Sequence, residues 1–178
     1  MIREYQETDW KEVCRVFDLS KPHELASGGI EASFVPLAKD EARMAQFSKS
    51  TVFVWEENQA LRGFAGFDGV FIGWLFVDPS AFRKRIGRDL LQHLIAQIEG
   101  DPWLWALKTN HAALGLYQSE GFEIVDERPS QNGGMPCFAV KLTRRRRPNH
   151  PPQRKTGSRP SSDDSPAIET PSSLGPRG

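Results

Sequence analysis

The chain has 178 residues, balances 23 Lys+Arg against 23 Asp+Glu, and is 38% hydrophobic, a length that suits one domain with or without an appendage. The balance hides a split: residues 144–178 hold seven Arg, one Lys and three acids, net +5, which leaves −5 on residues 1–143. No apolar run reaches a membrane span, residues 1–10 carry four charges and no leader-like apolar core, and Cys14 and Cys137 offer neither a disulfide framework nor zinc-ligand spacing, so a cytoplasmic, metal-free domain is expected.

Ile2–Gln6 reads as a short opening strand. Asp9, with Glu12 three positions on, has the spacing of a capping box, and Trp10, Val13, Cys14 and Phe17 give the helix behind it an apolar face. Lys21-Pro22 is read as its end, with an irregular stretch over 23–36 and a second helix over 37–47. Thr51–Trp55, Leu61–Phe67 and Val70–Val77 then read as three strands, the last apolar enough for burial on both faces. Residues 88–99 read as a helix facing inward through Leu90, Leu91, Leu94, Ile95 and Ile98. Trp103–Leu107 is a strand, and Asn110 caps a helix that runs to about Ser119 and stops before Gly121. Phe122–Val125 and Cys137–Leu142 close the domain as strands around a polar loop, Ser130–Gly134. The order β-α-α-β-β-β-α-β-α-β-β predicts an α/β domain over 1–143 with a mixed, partly antiparallel sheet flanked by helices. Residues 144–178 are rich in Pro, Ser and Arg, hold three apolar side chains, and read as a disordered tail.

The junction after the third of those strands carries the chemistry. Val77-Asp78-Pro79 leads into Phe82-Arg83-Lys84-Arg85-Ile86-Gly87-Arg88, and a helix follows. A helix start offers unpaired N–H groups and the positive end of its dipole. Gly87 lets the backbone approach a ligand, and the surrounding cations suit a pyrophosphate. On these features alone an ordinary solvated basic turn is the commoner meaning.

A second motif follows about thirty residues later: Asn110, Ala113, Tyr117 and Gly121-Phe122, on and after a helix. Together the two motifs resemble the GNAT superfamily of N-acetyltransferases, with its V-x-P, its basic glycine loop and its N-x-x-A-x-x-x-Y-x-x-x-G-F. Two loop positions depart from that pattern: Phe82 stands where the family has Gln or Arg, and Arg85 where it has its first Gly.

The resemblance implies an N-acetyltransferase moving acetyl from acetyl-CoA to a primary amine, a small molecule by preference, through direct attack in a ternary complex. Leu75 and Val77 would offer backbone groups to the pantetheine arm, and Arg83, Lys84, Arg85, Ile86, Gly87, Arg88 and Asn110 would complete the cofactor site. Tyr117 would be the general acid. In this fold the strand over 70–77 splays from the one over 103–107. Residues 70–77 contain no carboxylate to serve as base; Asp68 is the nearest. His23, Glu24 and Trp74 are the acceptor-side candidates. Cys14 and Cys137 read as core, and His111 as a surface residue beside a cap. The Arg144–Arg147 run reads as solvated tail rather than a nucleic-acid contact, no membrane contact is expected, and a homodimer stays open. A non-catalytic acyl-CoA-binding or sensor domain of the same fold is the alternative.

Overall fold

The structure is a computed structural model that describes residues 1–145. The tail expected over 144–178 lies, from residue 146 on, outside the described residues. Among the described residues no helix is long and apolar enough to cross a membrane.

Among the described residues seven strands form one sheet: β1 (Ile2–Glu4), β2 (Thr51–Glu57), β3 (Ala60–Asp68), β4 (Phe71–Val77), β5 (Trp103–Leu107), β6 (Glu123–Asn132) and β7 (Met135–Thr143). Their spatial order is β1-β2-β3-β4-β5-β7-β6. Every neighbouring pair is antiparallel except β4 with β5, which is parallel. Helices α1 (Trp10–Ala26) and α2 (Glu41–Phe47) precede β2, α3 (Ile86–Gln97) joins β4 to β5, and α4 (His111–Ser119) joins β5 to β6. The element order is the one read from the sequence.

The core lies on both faces of the sheet. Leu90, Leu91 and Leu94 of α3 pack with Leu114 and Phe122 on sheet residues Ala65, Ile72, Leu104 and Leu142. Val13, Val16 and Phe17 of α1 pack with Phe47 on Val52, Val54, Phe64 and Trp74.

Several local readings change. Asp9 does not cap α1; its carboxylate takes both Nη groups of Arg3 (2.7 and 2.9 Å) and the Gln6 backbone N–H (2.9 Å). Helix α1 does not stop at Lys21-Pro22 but continues to Ala26. Proline costs the helix a hydrogen bond, yet the turn beyond it is anchored by Leu25, fully buried against Ile30 and Leu107. Gly29, at φ +66°, then reverses the chain so that Ile30 N–H reaches the Leu25 carbonyl (3.2 Å). The segment over 37–47 divides at Asp40, whose side chain accepts the Arg43 N–H and starts α2. Helix α3 begins at Ile86, two residues before its expected start. The supposed loop over 130–134 belongs to a long hairpin that turns only at Gly133-Gly134, both at positive φ. Its polar residues lie on β6, an outer and largely exposed strand, although Asn132 itself is buried, so composition mimics a loop. Strand β4 packs on both faces, Ile72 in the α3 cluster and Trp74 in the α1 cluster, but its other residues are only partly buried where the sheet opens beside it.

Asp78 ties α1 to the turn after β4. It is 3% exposed, accepts from Arg15 Nη1 (2.8 Å), and takes both the N–H (2.9 Å) and the hydroxyl (2.7 Å) of Ser80. Burial by itself would raise its pKa; the Arg15 and Ser80 hydrogen bonds outweigh that and hold the carboxyl at about 2. A carboxylate depressed on folding contributes stability above its unfolded pKa of about 4, roughly 2 kcal/mol here, and loses it as pH falls through the folded value. Asp78→Asn is therefore expected to lower stability at neutral pH by about 1–3 kcal/mol. It should also flatten the loss of stability between about pH 4 and 2. Urea titrations of both proteins across that range read the two effects.

Candidate active site

Strands β4 and β5 pair only at Phe71↔Trp103, where Trp103 N–H also reaches the Val70 carbonyl (3.0 Å). Beyond that point they diverge. Asp78 N–H donates to Arg62 on β3 (2.8 Å), so strand alternation directs the backbone groups of Leu75 and Val77 away from β3 and into the opening. A narrow gap of about 140 Å³ results, walled by Gly73–Phe76 of β4, Leu104–Ala106 of β5, Asn110, Ala113 and Tyr117 of α4, and Lys21 and Glu24 of α1. It shares walls with two larger cavities, one of about 800 Å³ toward the α3 start and one of about 580 Å³ toward α2 and the hairpin.

The α3 start leaves backbone N–H groups without a cap. Helical bonding begins with Asp89 N–H on the Arg85 carbonyl (3.0 Å), and no side chain caps the end. The N–H groups of Ile86, Gly87 and Arg88 therefore have no acceptor within the helix. Helices α2 and α4, by contrast, are capped by Asp40 and Asn110. Arg83 and Arg85 adopt φ of +63° and +66°. A non-glycine residue in that left-handed region costs about 1–2 kcal/mol. Arg85 thus holds a backbone conformation that favours glycine while carrying a cation.

Leu75, Val77, Arg83, Arg85, Ile86, Gly87, Arg88 and Asn110 all border the 800 Å³ cavity. Lys84 is exposed and does not border it. Arg88 also pairs with Glu120 (2.8 Å) beyond the end of α4. Phe82 is 46% exposed on the cavity rim, its ring 5.8 Å from that of His23.

Tyr117 is 9% exposed and borders both the gap and the 800 Å³ cavity. Burial, then the nearby Glu24 charge, raises its pKa well above the ordinary phenol value, so the hydroxyl keeps its proton. Glu24 borders all three cavities. It was expected in an irregular stretch; the continuation of α1 through Pro22 puts it on a helix instead, one turn from Lys21, with which it pairs at 2.8 Å. Trp74 is buried in the wall of the gap and of the 580 Å³ cavity, its Nε1–H donating to Ser50 Oγ (3.1 Å). Asp68 borders that same cavity from the end of β3.

Lys21 was missed, because Lys-Pro reads as a helix stop. The signal was present: Phe17, Lys21 and Glu24-Leu25 continue the inward spacing of α1. Cys14 packs against the α1 core cluster, and burial raises its thiol to about 11. The Cys137 thiol, raised by burial, borders the 580 Å³ cavity, and His111 is exposed at the start of α4. Among the described residues no group of three His, Cys, Asp or Glu is placed to hold a metal.

Comparison with known proteins agrees with this architecture. The family model of the acetyltransferase (GNAT) domain matches residues 48–124. The peptidyl-lysine N-acetyltransferase YiaC of Escherichia coli (strain K12) is 31% identical over 129 residues, covering 71% of this chain and 85% of that protein. A GCN5-related N-acetyltransferase structure from Rhodopseudomonas palustris superposes with a TM-score of 0.72 at 18% identity, covering 82% of this chain and 94% of that one. The Salmonella typhimurium protein yncA, solved with its cofactor acetyl-CoA, gives a TM-score of 0.65 at 19% identity, with coverage of 86% and 97%.

The left-handed loop makes its own prediction. Arg85→Gly relieves strain of about 1 kcal/mol but frees the unfolded chain by a similar amount, so its urea midpoint should stay near that of the parent. Arg85→Val, β-branched at the same φ, should lose more than about 1 kcal/mol. Equal stability of the two variants would contradict the left-handed assignment.

Proposed function

The chain belongs to the GNAT superfamily of acetyltransferases, and on that premise we propose that it binds acetyl-CoA and transfers the acetyl group to a primary amine by direct attack in a ternary complex. The observation that carries this reading is the continuity of an uncapped helix start, a splayed strand pair and a buried tyrosine along one connected set of walls. The N–H groups of Ile86, Gly87 and Arg88, with Arg83 and Arg85, suit a pyrophosphate. The Leu75 and Val77 backbone groups suit an amide-bearing arm that adds to the open edge of β4. The yncA structure with acetyl-CoA supports the same assignment.

The roles follow from the chemistry of amide formation. The amine must lose a proton to attack, and Glu24, bordering all three cavities, is the carboxylate proposed to take it. The departing thiolate must gain a proton, and Tyr117 is proposed to give it. A backbone N–H near Val77 would polarise the thioester carbonyl.

The acceptor is proposed to enter through the 580 Å³ cavity, a volume that takes a whole small molecule. The net charge of −5 on residues 1–143 favours a cationic one. A second acceptor reading is the lysine side chain of a peptide: the narrowness of the gap admits an unbranched alkylammonium, and the E. coli relative bears that activity in its name. Rates with free amines against lysine peptides separate the two. Binding without turnover across both sets would instead support the sensor-domain alternative.

Acetyl-CoA is expected to raise the thermal midpoint, since a ligand of the folded state alone stabilises it. A pantetheine thioester lacking the phosphates should raise it far less; equal shifts would remove residues 83–88 from the phosphate site. Tyr117→Phe keeps the ring and loses the proton donor. It should lower kcat by about 10²-fold while leaving acetyl-CoA affinity unchanged. An unchanged kcat where chemistry limits would reduce Tyr117 to a packing residue.

A further inference from the structure

Lys21 places a primary amine of this chain's own inside the gap. The residue is 9% exposed, on the turn of α1 before Pro22, and borders both the gap and the 580 Å³ cavity. Its Nζ lies 2.8 Å from Glu24 Oε1 and 5.9 Å from the centre of the Phe76 ring. Tyr117 stands in the wall of the same gap. Stability gives little reason for a lysine here. Desolvating an ion pair costs about as much as the pair returns, and an apolar residue of similar volume would serve as well.

The position instead meets the requirements of an acceptor: an unbranched alkylamine, a carboxylate in hydrogen-bond contact with it, and a proton donor across the gap. We infer that Lys21 is itself an acceptor, and that the chain acetylates Lys21 Nζ within the same molecule. This rests on the acetyl-CoA reading above. In the step, Glu24 takes one proton from the Lys21 ammonium, and the freed lone pair attacks the thioester carbonyl carbon. A C–N bond forms and the C–S bond breaks. The sulfur leaves with the proton of the Tyr117 hydroxyl, and one of the two protons on the newly bonded, positively charged nitrogen returns that phenol to its neutral form, the other staying as the amide N–H. The products are an acetamide on Lys21, free CoA and one proton on Glu24.

The modification removes the positive charge from Lys21. Glu24 then lacks its cationic partner and faces the 580 Å³ cavity as a carboxylate open to the ammonium of a diffusing acceptor. Self-acetylation therefore sets the charge that later acceptors meet.

The test incubates the full 178-residue chain with acetyl-CoA alone and maps acetyl groups by peptide mass after cleavage with a glutamate-specific protease. The exposed Lys11, Lys39 and Lys84 report uncatalysed acetylation. Lys21 is expected to be acetylated first, at a fractional rate independent of protein concentration, and about 10-fold or more slower in Tyr117→Phe. Lys21→Arg keeps a cation opposite Glu24 but cannot form the acetamide, and the fast phase should vanish from its map. Acetyl appearing on Lys21 no faster than on Lys11, or at a rate that rises with protein concentration, overturns the inference. The thermal midpoint with acetyl-CoA is read in parallel. A shift with unmodified Lys21 overturns self-acetylation and leaves acetyl-CoA binding standing, whereas no shift overturns both.

Discussion

One residue pair joins the two halves of the sheet. Phe71↔Trp103 is the whole of the β4–β5 ladder, and the shape of the candidate site follows from what the strands do next. A sheet normally satisfies each strand's backbone groups with its neighbours, and buried groups left over are costly. Here the leftover groups line an opening rather than a packed interior. The halves stay together through the α3 and α4 side, where Leu90 and Leu94 share one apolar cluster with Ala65 on one half and Leu104 and Leu142 on the other. The opening is thus braced along one face, which leaves α1 free to close its other face with Lys21 and Glu24.

The loop before α3 shows a trade between conformation and charge. Glycine would relax Arg85 at φ +66°, but would bring no cation. With arginine there, the loop accepts strain to hold charge beside an uncapped helix start. Asp78 supports that arrangement from behind. Its bonds to Arg15 and Ser80 fix the strand-to-loop corner against α1, and the corner sets where the loop begins.

Much of this was legible in sequence because it is local. The alternation of strands and helices, the Asn110 cap, and the spacing from Asn110 to Tyr117 and Gly121-Phe122 all rest on neighbours a turn or two away. The failures share a cause in distant contacts. Pro22 is a helix breaker by local rule and is overruled by Leu25 meeting Leu107. Strand β6 is too polar to look like one, and its identity comes from pairing with β7 residue by residue. Lys21 could not be assigned to a gap whose far wall is built from β5 and α4, far along the chain. Asp9 had the spacing of a cap and spends its carboxylate on Arg3 instead.

The single-pair seam also inverts the usual map of amide hydrogen exchange. In an ordinary sheet the central strands exchange last, and protection falls toward the edges. Here the amides of Leu75 and Val77, on the fourth of seven strands, have no strand partner on their open side, while β2 and β3 are paired along their whole shared length. Solvent deuterium therefore enters this sheet from its middle, and a ligand that adds along β4 closes that entry.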